Sequence, residues 1–308
     1  MTKGYYQSIE SFALVDGPGV RSVLFLTGCP FRCLFCHNPD TWEFDPKNVI
    51  TPEEALKKLI RYKMYWKNNG GITISGGEPL VQLDFLLEFC RLAKKENIHI
   101  TIDTSGAPFN TNPEFLKKFD ELLTLTDLFM VDIKCIDDEV HKKLTGKSNK
   151  NVLEMIQYLD AKHYPIWIRH VLVPTITDDD GLLSKMNEFI STLSNVERVE
   201  VLPYHTLGIH KYEILGIKYP LEGVPAPTQD RVDNANKLLH TDSYTRYLHK
   251  WYLACGLVRR LFKWTKFPQS DLLSKVFYRP VIFPCIHLPF LSINEIRYFH
   301  DSLIFRPT

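Results

Sequence analysis

The feature that most constrains this chain is a repeated alternation of two kinds of segment. Short runs rich in β-branched and aromatic residues occur at 22–27 (SVLFLT), 72–75 (ITIS), 98–103 (IHITID), 128–133 (LFMVDI), 166–173 (IWIRHVLV) and 196–202 (VERVEVL). Between them lie TPEEALKKLIRYKMYW, LDFLLEFCRLAKKEN, NPEFLKKFDELL, NVLEMIQYLDAKH and DGLLSKMNEFISTL, whose apolar residues recur with the spacing of one helix face. A strand–helix order repeated about six times means parallel strands joined by crossover helices. The expected fold is α/β, either an open doubly wound sheet or a full or partial barrel.

The 308 residues are enough for one large domain or two ordinary ones, and with 44% hydrophobic and 24% charged residues the chain is globular rather than disordered. No stretch is long and apolar enough to span a bilayer. The start, MTKGYYQSIESF, lacks a basic region followed by an apolar one, so the expected location is the cytoplasm. The net charge of +1 conceals an asymmetry. Residues 241–308 hold 10 Lys+Arg against 4 Asp+Glu, and 14 of the chain's 38 aromatic residues. Two parts are expected, 1–240 and a basic aromatic extension at 241–308.

Each strand-like run ends in a polar or reactive group. Cys29 follows the first, Gly76-Gly77-Glu78 the second, and Asp103-Thr104 closes the third. Asp132 and Lys134 end the fourth, Arg169 lies in the fifth, and His205 follows the sixth. In parallel α/β folds the carboxyl ends of the strands share one rim, so six scattered segments converge on one site. Any one of them alone is most simply a loop residue.

Of seven cysteines, Cys90, Cys135, Cys255 and Cys285 are isolated and read as reduced thiols, whereas Cys29, Cys33 and Cys36 form C-x3-C-x2-C. A structural zinc needs four closed ligands, and the only nearby fourth, His37, is adjacent to Cys36 and poorly placed. A redox disulfide leaves Cys29 unexplained. An iron–sulfur cluster suits thiolates, and three of them leave one iron open to an exogenous molecule. A plain electron carrier and a zinc-binding interaction module stay open on the cysteines alone.

The triplet with Phe35 before its last cysteine, followed by SGGEP at 75–79, resembles the radical S-adenosylmethionine (SAM) superfamily. With YQSIESFALVDGPGVRSVLFLTGCPFRCLFCHNPDTW, ITISGGEPL, IDTSG, MVDIK, WIRHVLVP and LPYHTLGIHKY in this order, residues from about 5 to about 240 are similar to its glycyl-radical enzyme activases. The resemblance implies a partial (β/α)6 barrel of TIM type. Cys29, Cys33 and Cys36 would bind a [4Fe-4S] cluster whose open iron takes the amino and carboxylate groups of SAM. Reductive cleavage then gives methionine and a 5′-deoxyadenosyl radical, which removes a Cα hydrogen from a glycine of the partner enzyme.

By the same resemblance Gly76, Gly77 and Glu78 would hold the methionine end of SAM, with glycine expected there so that backbone N–H groups can approach the ligand. Phe35, Cys36 and His37 would line the adenine side. Asp103, Thr104, Met130 and Asp132 would surround the methionine carboxylate and a monovalent cation. Lys134 and His205 would flank the ribose and reacting carbon, with Arg169 and Val171 as further wall and Ile133 also expected to bind the cofactor; Lys134, His205 and Asp132 are the expected catalytic residues. DGPGVR at 16–21 would lie where the partner's glycyl loop enters, and LGIHKY at 207–212 is a candidate docking segment.

No cysteine lies between Cys36 and Gly76, which disfavours the activases with an inserted ferredoxin-like module and leaves pyruvate formate-lyase as the expected protein substrate. Flavodoxin or ferredoxin is the implied electron donor, the chain is expected to be a monomer, and no nucleic-acid partner is expected. The tail carries no recognisable period or motif. Its stretch from His249 to Lys266 could serve an interface or nucleic acid, but residues 241–308 are expected to be dispensable.

Overall fold

The computed structural model describes residues 2–67 and 69–248. All six expected strands form: β2 (Arg21–Leu26), β4 (Gly71–Gly76), β5 (Ile100–Thr104), β6 (Leu128–Asp132), β7 (Ile166–Leu172) and β8 (Val196–Pro203). They pair in parallel in that order. Two further strands, β1 (Gly4–Ala13) and β3 (Val49–Ile50), extend the β2 edge antiparallel, giving the order β3-β1-β2-β4-β5-β6-β7-β8.

The helices are α1 (Pro52–Leu59), α2 (Leu83–Lys95), α3 (Pro113–Leu125), α4 (Asp138–Thr145), α5 (Lys150–Ala161), α6 (Asp180–Ser191), α7 (Ile209–Leu215) and α8 (Gln229–Leu238). α1 opens with a capping box, Thr51 and Glu54 each satisfying the other's backbone N–H. It is shorter than the expected run to Trp66. The chain tightens into a 3₁₀ turn over Ile60–Tyr65, broken at Tyr62 (φ −108°), and Trp66 enters the core with its Nε1 donating to Ser22 Oγ at 3.2 Å.

The period of two along each strand separates a dry outer face from a polar inner one. Ile72 and Ile74, Ile100 and Ile102, and Phe129 and Val131 are fully buried in the main core with the helices. The alternate residues, Thr73 and Ser75, Asp103, Met130 and Asp132, Trp167 and Arg169, Arg198 and Glu200, line the inside. The sheet is curled enough for Arg169 of β7 to reach Asp103 of β5 across the intervening strand. An open curled sheet with a polar lumen is the expected partial barrel.

Residues 241–248 pack on the barrel. Tyr244 lies against the main core, and Tyr247 against Leu128, Met130 and Trp167. A boundary at 240 therefore cuts through packed residues, while the stretch from His249 to Lys266 lies outside the described residues. Among the described residues no helix is long and apolar enough to cross a membrane.

Candidate functional site

The cysteine loop follows β2 and is pinned by three other elements. Cys29 N–H donates to the Trp42 carbonyl at 3.0 Å, and Arg32 and Leu34 donate to the Thr145 and Leu144 carbonyls at the end of α4, at 2.8 and 2.9 Å. Those are orphan carbonyls of a helix terminus, so loop and helix satisfy each other. From α7, Tyr212 Oη donates to the Cys36 carbonyl at 3.0 Å, and Lys211 reaches Asn38 at 2.7 Å and Asp40 at 3.2 Å. The LGIHKY segment, expected as a docking loop, thus runs into a helix that buttresses the cysteines.

Cys29, Cys33 and Cys36 are unpaired half-buried thiols. Burial pushes Cys29 and Cys33 up to about 12 and raises Cys36 as well, with Lys134 pulling each of them back. Three neighbouring thiols resisting ionisation become thiolates together only when a cationic centre takes the charge. Among the described residues no group of three His, Cys, Asp or Glu side chains is gathered to hold a single metal ion. Three thiolates suit an iron–sulfur cluster bound one thiolate per iron better than a closed zinc site, which needs a fourth ligand. The donor set fits the expected cluster.

Gly76 and Gly77 are required as glycines by the packing of the turn itself. Gly76 has φ +115° and Gly77 lies flat against the cysteine loop; a Cβ on Gly77 would sit 2.6 Å from the Gly28 carbonyl, and one on Gly76 would strike that of Leu26. The Gly77 and Glu78 amides already donate to the Leu26 and Gly28 carbonyls, at 2.8 and 2.9 Å. These two amides dock the turn to the end of β2 and to the start of the cysteine loop. Glu78 is fully buried and faces inward to the protein, accepting from Leu80 N at 3.0 Å, Thr104 Oγ1 at 2.6 Å, Ser105 N at 2.8 Å and Ser105 Oγ. Burial raises its carboxyl while these four donors oppose the rise. It is a strut between the ends of β4 and β5.

The charged residues expected on the rim do meet there. Ser75 Oγ donates to Asp103 at 2.6 Å; Arg169 holds the other Asp103 oxygen and lies 3.5 Å from Asp132; Lys134 Nζ pairs with Asp132 at 2.8 Å. Burial opposes each charge, but Asp132 is held below the ordinary carboxylate range by Lys134 and Arg169, and both cations are held firmly protonated by their carboxylates. Asp103 and Asp132, expected round a monovalent cation, are thus each already paired with a protein cation.

This file joins the cysteine loop where Lys134 Nζ lies 5.4 Å from the Phe35 ring centroid. Alongside, His37 and His205 stack, centroids 4.0 Å apart and 14° from parallel, and His37 Nε2 donates to the His205 carbonyl at 3.0 Å. Val171 packs against the hydrophobic cluster that contains Phe35, and Met130 shares a cluster with Trp167. Ile133 points away into the main core, so only its backbone faces the site. DGPGVR folds onto the inner face: Thr73 Oγ1 donates to the Asp16 carbonyl at 2.6 Å, and fully buried Arg21 donates to Thr73 Oγ1 and to the Pro18 carbonyl. Sequence reasoning missed Ser75, Ser105, Lys211 and Tyr212; of these only Ser75, on the inward parity of its strand, carried a usable signal.

A curled six-stranded parallel sheet with a cysteine triplet after its first strand and an ion file at its carboxyl rim is the radical SAM arrangement, and the superfamily's model matches residues 23–183. The chain belongs to the radical SAM superfamily. It is 50% identical over 242 residues to the pyruvate formate-lyase-activating enzyme of Listeria monocytogenes serovar 1/2a, covering 78% of this chain and 98% of that one. The Streptococcus mutans serotype c enzyme of the same name is 50% identical over 246 residues, 79% and 94% of the two chains. Within the superfamily the chain is therefore a member of the pyruvate formate-lyase-activating enzyme family. Among solved structures, Streptococcus suis SuiB bound to precursor peptide SuiA shares the fold with TM-score 0.54 at 15% identity, over 75% of this chain and 46% of that one. A radical SAM methyltransferase from Sphaerobacter thermophilus does so with TM-score 0.53 at 16% identity, over 73% and 65%.

Proposed function

We propose that this enzyme activates pyruvate formate-lyase by removing a Cα hydrogen from one of its glycines, with a [4Fe-4S] cluster and SAM as cofactors. When bound, that pair supplies the one-electron chemistry of hydrogen removal. Cys29, Cys33 and Cys36 would hold the cluster, and the contacts of their loop to Trp42, α4 and Tyr212 anchor the backbone that carries them.

The remaining residues bind, orient and exclude water. The stacked His37 and His205 and the ring of Phe35 offer flat faces to an adenine. The file Ser75, Asp103, Arg169, Asp132 and Lys134 offers fixed charges to the amino-acid end of SAM, and because the file is internally paired its groups are already oriented before the ligand arrives. Lys134 joins the charge file to the adenine face. A radical reaction needs such rigid positioning and little water, and Asp132 and Lys134 are each only 13% exposed. Reduction comes from flavodoxin or ferredoxin and the enzyme works as a cytoplasmic monomer, as the family resemblance implies.

One observation carries this reading: side chains from β4, β5, β6 and β7 and the cysteine loop form one connected set at one rim. The test is anaerobic spectroscopy of the reconstituted, reduced protein. Its paramagnetic signal should change on adding SAM; a signal indifferent to SAM would mark an electron carrier instead.

A further inference from the structure

β8 sets two charged side chains on the inner face of the sheet, Arg198 and Glu200. They pair at 2.7 Å. The Arg198 guanidinium sits in the corner between two rings, 4.8 Å from the Trp167 centroid and 4.6 Å from that of Tyr247, while the rings meet edge to face at 5.7 Å and 68°. Two π faces and one carboxylate fix a planar cation in position and direction. Trp167 comes from β7, but Tyr247 comes from beyond α8, near the end of the described chain.

Glu200 has a second suitor. In the β7–β8 ladder it stands directly beside Arg169. Arg169 is already engaged, holding Asp103 and lying 3.5 Å from Asp132. A guanidinium surrounded by three carboxylates takes the position that their competition sets, and Arg198 decides how strongly Glu200 competes. With Arg198 locked in its aromatic corner, Glu200 stays on Arg198.

We propose that Tyr247 is a positioning residue for the SAM site: by completing the corner that holds Arg198 it keeps Glu200 paired there, and so leaves Arg169 spread across Asp103 and Asp132. The proposal rests on Arg169 being part of the SAM wall. It makes the segment after α8 a working part of the barrel, although no functional residue was expected beyond residue 240.

The test is anaerobic calorimetric titration of SAM into full-length, cluster-reconstituted protein, with iron content and unfolding midpoint measured on each variant. Tyr247→Ala should weaken SAM binding about tenfold at unchanged iron content, and Tyr247→Leu, which fills the space without a π face, should do the same. Tyr247→Phe should bind as the unaltered protein does. Adding Glu200→Gln to Tyr247→Ala should restore binding to within about twofold, because a neutral amide no longer draws Arg169 away; a loss of packing alone would not be rescued this way. Unaltered binding in both Tyr247→Ala and Tyr247→Leu, or no recovery with Glu200→Gln, overturns the proposal. Arg169→Ala separates the two levels: if it leaves SAM binding unchanged, the reading of Arg169 fails and the proposal with it, whereas if it weakens binding and the Tyr247 variants do not, the proposal fails alone.

Discussion

Arg169 on β7 holds Asp103 on β5 by reaching over β6, and on the way its Nε lies 3.5 Å from Asp132. One guanidinium thus ties together the carboxyl ends of three strands. The curl of the sheet and the order of the rim are the same fact seen twice: without the curl the two residues could not meet, and without Arg169 the buried Asp103 would lose its cation while Asp132 kept only Lys134.

That arrangement predicts a large and specific penalty for removing the cation. Arg169→Ala should destabilise the cluster-free protein by about 3–5 kcal/mol, because it strands buried negative charge. Adding Asp103→Asn should recover part of the loss. Chemical denaturation of the single and double variants measures both; a loss below 1 kcal/mol, or strictly additive losses, would contradict the assignment.

Glu78 should behave as a strut whose oxygens only accept. Both of its oxygens are filled by N–H and O–H donors from Leu80, Thr104 and Ser105. Glu78→Gln puts an NH2 where an acceptor is required, at a cost of about 1–3 kcal/mol. Unfolding midpoints should place Glu78→Gln well below the parent, and a neutral result would mean that the carboxylate turns out toward the ligand instead.

Glycine at 76 and 77 should be required by the protein itself and not by SAM. Gly76→Ala forces a side chain into the backbone at the end of β2 and Gly77→Ala into that of the cysteine loop, so both should lower stability and iron uptake before any SAM is added. Gly146 is the control. It also has positive φ, but nothing lies within 4 Å of its Cβ position, so Gly146→Ala should cost only about 1 kcal/mol and leave iron uptake intact.

The cysteines divide into two classes. Cys29→Ala, Cys33→Ala and Cys36→Ala should each abolish stable cluster incorporation, read as iron and sulfide content and visible absorbance. Cys90→Ala and Cys135→Ala should retain it, since both are buried thiols outside the triplet, Cys90 on α2 and Cys135 in the turn after β6. Full cluster content in any triplet variant would contradict the ligand set.

Much of this was legible in the sequence because it is local. Six strands of β-branched and aromatic residues, each followed by a helix-period run, gave the parallel sheet, and the rule that strand ends share a rim collected Asp103, Asp132, Lys134, Arg169 and His205. β1 escaped because most of its residues are half-exposed on both faces, which erases the period of two. α7 escaped because its contacts, Tyr212 to Cys36 and Lys211 to Asp40, join residues far apart in the chain. The direction of Glu78 and the donors that hold it depend on how two strand ends sit side by side, which no window of sequence contains. Tyr247 falls in a tail whose composition differs from the rest, and its partners on β7 and β8 are set only by the folded, curled sheet.

The most direct measurement of the central claim is electron paramagnetic resonance on the anaerobically reconstituted and reduced enzyme mixed with SAM and pyruvate formate-lyase. A glycyl doublet should appear on the lyase, with 5′-deoxyadenosine formed alongside it. A fully reduced cluster that leaves SAM uncleaved and the lyase without a radical would contradict the account.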